Sequence, residues 1–320
     1  MMRAAFLLRF VRISPQSATA WLLASVLMHG CAAAPDIPPW FDAIQRIPVH
    51  TASVNGHRIA YLDEGQGPPL ILIHGYGGSM WQWEYQRPLT GTFRVITPDL
   101  IGSGLSDKPD IDYRPEDLID TIHGLMESLG LPSATLVGSS MGAGVALGLA
   151  LTHPERVDRL VLIDGFPDHV RERLVSPLMR RAVDTHAPAW LARFGALLFG
   201  NRAMEAVLKE IVYDHTLVTP LVIDRSNRNR QRADMITPLL ALRDSLPLWE
   251  QQFAPRLRDV RHSTLILWGE QDRLFPPQVG RDLQALITGS RFILIPNAGH
   301  IPQWEQPHVV NRHITEFLQP

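Results

Sequence analysis

The sequence predicts an α/β fold built on a doubly wound, mostly parallel sheet, with a helical cap inserted late in the chain. Three observations predict this class. Short apolar runs alternate with helical patterns, which is typical of strands joined by crossover helices. Most runs from the third onward are continuously apolar, as expected for strands that are covered on both faces of a parallel sheet. A long interval, 166–262, then has no clear strand pattern.

The strand and helix patterns follow each other regularly until that interval. Helical patterns cover 115–129 and 141–152, and a last one ends near Phe317. The predicted strands are 58–62, 70–74, 94–97, 134–137, 160–163, 264–268 and 292–295.

The interval without strands is interpreted as a cap over the ends of the strands rather than an independent domain. It contains helical runs at 190–199, 203–213 and 238–246. The predicted organisation is an export signal at 1–31, a linker at 32–48, a core of 49–165 and 263–320, and the helical cap at 166–262.

Composition excludes several classes of function. The 320 residues are 45% hydrophobic and 19% charged, with a formal net charge of -2, so the chain should fold compactly and offers no basic field for nucleic acid. The arginine-dense stretch 225–232 is interpreted as a solvated helix face. The single cysteine, Cys31, precedes the folded part, which excludes a disulfide scaffold and a cysteine nucleophile there. Histidine and cysteine spacing does not match metal ligation, and no cofactor is predicted.

The first residues have the layout of a bacterial export signal. Arginines without acids are followed by an apolar run at 18–28, too short to span a bilayer, and then by small residues. Gly30 directly before Cys31 resembles a lipoprotein signal, which predicts acylation of Cys31 and a position at the membrane surface of the cell envelope. Simple cleavage after Ala34 is the alternative, and it would remove the cysteine.

The strongest chemical signal is a G-x-S-x-G motif between an apolar strand and a helix rich in small residues. Gly138 and Gly142 flank Ser140 at the positions where a Cβ would clash in a sharp strand-to-helix turn. Such a turn exposes the serine at the carboxyl edge of the sheet, beside the positive end of the helix. Ser140 is therefore the predicted nucleophile.

A serine hydroxyl needs a base to take its proton and an acid to orient that base. His300 follows the last predicted strand and is the predicted base. Asp272 follows the strand before it and is the predicted acid. Asp164 and Glu270 stay open as alternatives for the acid, because each also follows a strand at the same sheet edge.

Acyl transfer also requires donors for the oxyanion that develops on the substrate. The backbone N–H of Met141, directly after the nucleophile, is one predicted donor. The glycine-rich loop 74–78 should supply the second, with the N–H of Tyr76 as the first choice and that of Gly77 as the alternative. His74 is expected to brace this loop rather than to react.

Several motifs together resemble the α/β-hydrolases of the esterase and lipase type, over roughly residues 50–320. The matching segments lie in order along the chain. They are 74–75, 99–107, 138–142, 153–156, 269–272 and 299–300. The resemblance implies hydrolysis of apolar esters through an acyl-enzyme. Serine at the nucleophile position differs from epoxide hydrolases and haloalkane dehalogenases, which resemble this fold but use aspartate there.

Two other functions stay open. The segment from Gly299 to Glu305 also resembles hydrolases that cleave carbon–carbon bonds in products of aromatic ring cleavage, although predicted export argues against a catabolic substrate that is normally cytosolic. The third possibility is a binding protein without catalysis. Within the cap, Phe194 belongs to an apolar stripe at helical spacing that is expected either to line the acyl pocket or to pack the cap on the core.

Overall fold

The computed structural model describes residues 47–165, 169–231 and 235–319. Eight strands form one sheet in the order β1-β2-β4-β3-β5-β6-β7-β8. The strands are β1 His50–Val54, β2 His57–Glu64, β3 Pro69–Ile73, β4 Arg94–Pro98, β5 Ala134–Ser139, β6 Val157–Ile163, β7 Thr264–Gly269 and β8 Arg291–Ile295.

The sheet is parallel from β4 to β8, and β2 joins it antiparallel to both β1 and β4. This confirms the predicted fold class. Sequence reasoning missed β1, a mostly exposed strand of mixed polarity that lacks an apolar run. The signal that it overlooked is Asn55-Gly56, a pair that favours a two-residue hairpin because both residues tolerate the positive φ observed there.

The central strands are apolar at successive positions because both faces of the sheet are covered. In β3, Ile71 and Ile73 pack into one hydrophobic cluster, whereas Leu70 and Leu72 pack into another on the opposite face. Side chains alternate between the faces of a strand, so a strand buried on both sides reads as a continuous apolar run.

Helices cover the sheet and fill the interval between β6 and β7. α1 and α2 pack against one face, and α2 is buried along nearly its whole length. Between β6 and β7 the described residues form helices α3 to α8 and no strand. The helices are α1 Pro115–Ser128, α2 Met141–Thr152, α3 Val170–Arg173, α4 Pro177–Asp184, α5 Ala189–Ile211, α6 Pro220–Gln231, α7 Ile236–Asp244, α8 Leu246–Gln252, α9 Pro277–Leu286, α10 Pro302–Glu305 and α11 Pro307–Leu318.

Candidate active site

Ser140 lies at the sharp turn between β5 and α2. Its backbone has φ 52° and ψ -119°, a conformation that a residue other than glycine rarely adopts. The flanking glycines permit this turn: a Cβ on Gly138 would lie 2.3 Å from the Gly142 carbonyl oxygen, and one on Gly142 would lie 2.1 Å from the Ile73 carbonyl oxygen. Strained backbone held by such close packing is typical of a nucleophile at this type of turn.

Three of the predicted residues form one chain of hydrogen bonds. His300 Nε2 is 2.9 Å from Ser140 Oγ, and His300 Nδ1 is 2.8 Å from Asp272 Oδ2. The other carboxylate oxygen of Asp272 accepts from the N–H groups of Leu274 at 2.7 Å and Phe275 at 3.2 Å, which holds the carboxylate in place. The arrangement can keep Nδ1 protonated and leave Nε2 free to take the hydroxyl proton.

The two alternative acids do not contact the histidine in this way. Glu270 is exposed and its carboxylate accepts from Gln271. Asp164 is fully buried and accepts from the Gly269 N–H at 2.9 Å. Burial first, and then the charge of Asp272, raises the pKa of Asp164 well above its usual range, which favours the neutral carboxyl of Asp164.

The glycine-rich loop after β3 lies directly against the nucleophile turn. A Cβ on Gly75 would lie 3.2 Å from the Ser139 carbonyl oxygen and 3.3 Å from the Ser140 Cβ, which is tighter than most Cβ contacts, so a glycine favours this close approach. His74 braces the loop: its Nδ1 donates to the Gly75 carbonyl at 2.9 Å, and its Nε2 accepts from the Leu100 N–H at 3.1 Å. Burial lowers the pKa of His74, in keeping with this neutral tautomer.

Both predicted oxyanion donors line the same cavity as Ser140. Met141 is the first residue of α2, and its N–H therefore has no acceptor within the helix. Tyr76 also lines the cavity, and its phenol donates to the Leu239 carbonyl of α7 at 2.7 Å.

The cavity has a volume of about 340 Å³, lies between the core and the cap, and is partly open to solvent. Its lining is mostly apolar, and Arg243 is the arginine that the cap contributes to it. The guanidinium of Arg243 is bound by the Asp244 carboxylate and the Thr185 carbonyl. The expectation for Phe194 is wrong: its side chain is 52% exposed on α5 and does not line the cavity, because the cavity receives the other end of that helix.

The cap directly supports the loop that carries His300, which sequence reasoning missed. The His300 N–H donates to the Ile211 carbonyl at the end of α5, at 2.7 Å. The carboxylate of Glu305 accepts from Gly299 at 2.6 Å, Tyr213 at 2.7 Å and Asp214 at 3.0 Å. Burial raises the pKa of Glu305. Glu305 therefore joins the histidine loop to the segment after α5.

A second link between cap and core corrects the interpretation of Arg225, the first residue of the arginine-dense stretch. Arg225 of α6 is not on a solvated face, since its side chain is only 14% exposed. It makes two hydrogen bonds of 2.9 Å to the Glu84 carboxylate and lies over the Trp81 ring. A paired, bidentate contact of this kind allows a charged side chain to be buried.

Among the described residues, two groups of side chains are close enough together to act as metal ligands. The buried group Asp164, Asp272 and His300 could hold a metal ion by distance, but the hydrogen bonds described above already use two of these side chains. A second group, His169, Glu172 and Glu250, is mostly exposed.

Cys31 and the predicted export signal lie outside the described residues. Within the part of the chain that the structure describes, no helix has the length and apolar character needed to cross a bilayer.

Known proteins are similar to this chain over most of its length. A 2-hydroxy-6-oxo-6-phenylhexa-2,4-dienoate hydrolase of Burkholderia cepacia is 28% identical, covering 85% of this chain and 95% of that protein. The structure of a meta-cleavage product hydrolase from Pseudomonas fluorescens IP01 is 26% identical, with a TM-score of 0.72, and covers 85% of this chain and 98% of its own.

A third similar structure is that of a protein with a different activity. It is a membrane phospholipase A, called a bacterial virulence factor, with 26% identity and a TM-score of 0.71, covering 94% of this chain and 98% of its own. The family model for the alpha/beta hydrolase fold matches residues 68–307. The chain is therefore a hydrolase that belongs to the alpha/beta hydrolase fold family.

Proposed function

We propose that this protein hydrolyses a carbon–carbon bond in 2-hydroxy-6-oxo-dienoates, the products of aromatic ring cleavage. The observation that carries the proposal is similarity over nearly the full length of relatives whose names state this activity. Ester hydrolysis, which the sequence analysis favoured, has weaker support from these relatives. The hydrogen-bonded Ser140, His300 and Asp272 supply the nucleophile, base and orienting acid that the reaction requires.

The proton of the substrate's 2-hydroxyl first moves to C5, which gives the keto tautomer with a ketone at C2. The first covalent step is then attack on the ketone at C6. His300 Nε2 takes the proton of Ser140 Oγ, and the oxygen forms a bond to C6. The ketone oxygen becomes an oxyanion, which the N–H groups of Met141 and Tyr76 stabilise. Asp272 stabilises the imidazolium that has formed.

The second step breaks the bond between C5 and C6. In the keto tautomer of the substrate, the electron pair that leaves C6 is delocalised from C5 to the oxygen on C2, so the leaving group is a stabilised dienolate. His300 returns its proton to this product, and the acyl group stays on Ser140. Water, deprotonated by His300, then attacks the acyl-enzyme and releases a carboxylic acid.

Such a substrate carries a carboxylate, for which Arg243 is the proposed partner. Arg243 lines the cavity, and its five N–H donors exceed those that Asp244 and Thr185 engage. Arg243→Gln should raise KM for a dienoate at least tenfold and leave KM for a neutral ester nearly unchanged. Arg243→Lys keeps the positive charge, so its KM for the dienoate should lie between the KM of wild type and that of Arg243→Gln.

Hydrolysis of apolar carboxylic esters is the second candidate. The mostly apolar lining of the cavity favours it, because such a lining suits a neutral acyl chain. An ester would use the same nucleophile and base, with an alkoxide as the leaving group in place of the dienolate.

One panel separates the candidates. Purified protein is given 2-hydroxy-6-oxo-6-phenylhexa-2,4-dienoate and, separately, p-nitrophenyl esters from acetate to palmitate, with Ser140→Ala as the control. We expect kcat/KM for the dienoate to exceed that for every ester, and Ser140→Ala to lose both activities. Faster turnover of an ester would reject carbon–carbon hydrolysis in favour of an esterase, and no turnover of either substrate would reject both.

We also propose export and acylation at Cys31, on the residue pattern given above. Expression of the full-length chain in a bacterium with labelled palmitate tests it. Cys31→Ser should abolish the label. An unlabelled, soluble wild type would contradict acylation.

A further inference from the structure

The outer half of α5 exposes an unusual apolar surface. Six large side chains between positions 190 and 199 are exposed, with Trp190 at 68% and Leu197 at 74%. We name this set the α5 surface: Trp190, Leu191, Phe194, Leu197, Leu198 and Phe199. A helix segment that is apolar nearly all round is normally buried in a core or in lipid. This segment is exposed instead, and a group of adjacent, exposed apolar side chains of this size indicates a binding surface.

The apolar face continues along the helix to a region that the protein covers itself. In the inner half of α5, Met204 and Leu208 pack with Ile223 of α6 in a small hydrophobic cluster. At about 100° per residue, Trp190, Leu197 and Leu208 lie on one side of the helix. The same face is thus buried where α6 lies against it and exposed toward the start of α5.

The charges beside this face favour one kind of partner. Arg193 and Arg202 are exposed on α5, about 90° to either side of the stripe that runs through Trp190 and Phe194. The sequence from 185 to 204 contains no acidic residue. Tryptophan and phenylalanine flanked by arginines are typical of a helix that lies in the interface of a membrane with anionic lipids.

The same charges disfavour the other possible occupants. In a two-fold contact between copies of this chain, the surface would meet itself, and Arg193 and Arg202 would face like charges. The N-terminal residues 1–34 carry arginines and no acid, so they do not complement the surface either. An anionic lipid headgroup instead brings the opposite charge to Arg202 and to Arg193, which also donates to Thr237 Oγ1 at 2.8 Å.

We propose that the α5 surface docks on an anionic lipid bilayer, with its apolar side chains inserted among the acyl chains. The helix would lie on the membrane and not cross it. The inner half of α5 contributes Val207, Leu208 and Ile211 to the cavity wall. Along the helix axis, these residues lie at most about 20 Å from Leu197. Docking would therefore hold the cavity beside the bilayer. The proposal does not depend on which bond the enzyme hydrolyses.

Vesicle co-sedimentation of the full-length protein tests the proposal. The probes are vesicles of equimolar phosphatidylcholine and phosphatidylglycerol, and vesicles of phosphatidylcholine alone. Wild type should bind the anionic vesicles more tightly, and added salt should reduce the difference. The double variant Phe194→Gln with Leu197→Gln should weaken binding to the vesicles at least about tenfold, because two apolar side chains are no longer transferred from water into the bilayer.

Two further variants separate the apolar and the charged contributions. Arg193→Gln with Arg202→Gln should remove most of the preference for anionic vesicles. Tyr85→Gln is the matched control, since Tyr85 is an exposed aromatic residue on the core, and it should bind like wild type. Thermal unfolding and dienoate turnover without vesicles, measured on every variant, show that the fold and the site are unchanged.

Three results would overturn the proposal. Wild type could stay in the supernatant with anionic vesicles. The Phe194 and Leu197 variant could bind like wild type, which would assign membrane binding to the N-terminal segment that all variants share. Light scattering could instead show a dimer that this variant converts to a monomer, which would make the surface an interface between copies of the chain.

Discussion

Replacing Glu305 by Gln tests whether the cap positions the catalytic histidine. The carboxylate accepts three backbone N–H groups, at 2.6, 2.7 and 3.0 Å, one from the residue before His300 and two from the segment after α5. Glutamine keeps one acceptor oxygen and turns an NH₂ group toward the remaining donors. Each hydrogen bond to a charged group contributes about 1.5–3 kcal/mol, so the variant should lose about 3 kcal/mol of unfolding free energy.

The same change should slow catalysis, since the His300 loop loses its support. A displacement of about 1 Å in a catalytic group can cost a factor of about 100, and we expect kcat to fall between about tenfold and a hundredfold. KM should change little, because Glu305 does not line the cavity. Dienoate turnover, followed by loss of its absorbance, measures both constants, and chemical denaturation measures the stability.

A matched control is available on the last helix. Glu316 of α11 is a half-exposed glutamate whose neighbours are Arg312 and His313, and such surface pairs contribute about 1 kcal/mol or less. Glu316→Gln should therefore leave stability and kcat nearly unchanged. If Glu305→Gln and Glu316→Gln had the same kcat, the argument that Glu305 positions His300 would be refuted, whatever the change in stability.

Four further substitutions test other parts of the structure. Asp272→Asn should lower kcat on the order of 10⁴-fold, because an amide favours the wrong histidine tautomer, and unchanged kcat would reject Asp272 as the orienting acid. Asp164→Asn tests the raised pKa of Asp164. Below about pH 4 this carboxyl is protonated in both the folded and the unfolded chain, and as pH rises it ionises in the unfolded chain first. Rising pH should therefore lower the unfolding free energy of wild type, whereas the variant should keep its unfolding free energy. Parallel stability curves against pH would contradict this. Gly142→Ala should destabilise the fold by about 3 kcal/mol or more, because its Cβ would meet the Ile73 carbonyl, whereas Gly195→Ala, which meets nothing within 4 Å, should stabilise α5 by up to about 1 kcal/mol in the same thermal assay.

Much of the candidate site could be predicted because its signals are local. Ser140, Asp272 and His300 each follow an apolar strand directly, and parallel strands bring their carboxyl ends to one edge of the sheet. The predicted order of the three residues was therefore enough to place them together. The glycines around Ser140 carry a similar local signal, since a sharp turn constrains only its immediate neighbours.

The sequence by itself determined the fold class and the three residues at the sheet edge, because strand and helix periodicity and turn chemistry depend on neighbours in the chain. Only the tertiary structure decided which end of α5 meets the cavity, and Phe194 was misplaced for that reason. It also decided that Glu84 pairs with Arg225, 141 residues away, and that Glu305 binds the Tyr213 N–H, 92 residues away. Contacts between distant segments depend on how the cap packs on the core, and no local pattern encodes that packing.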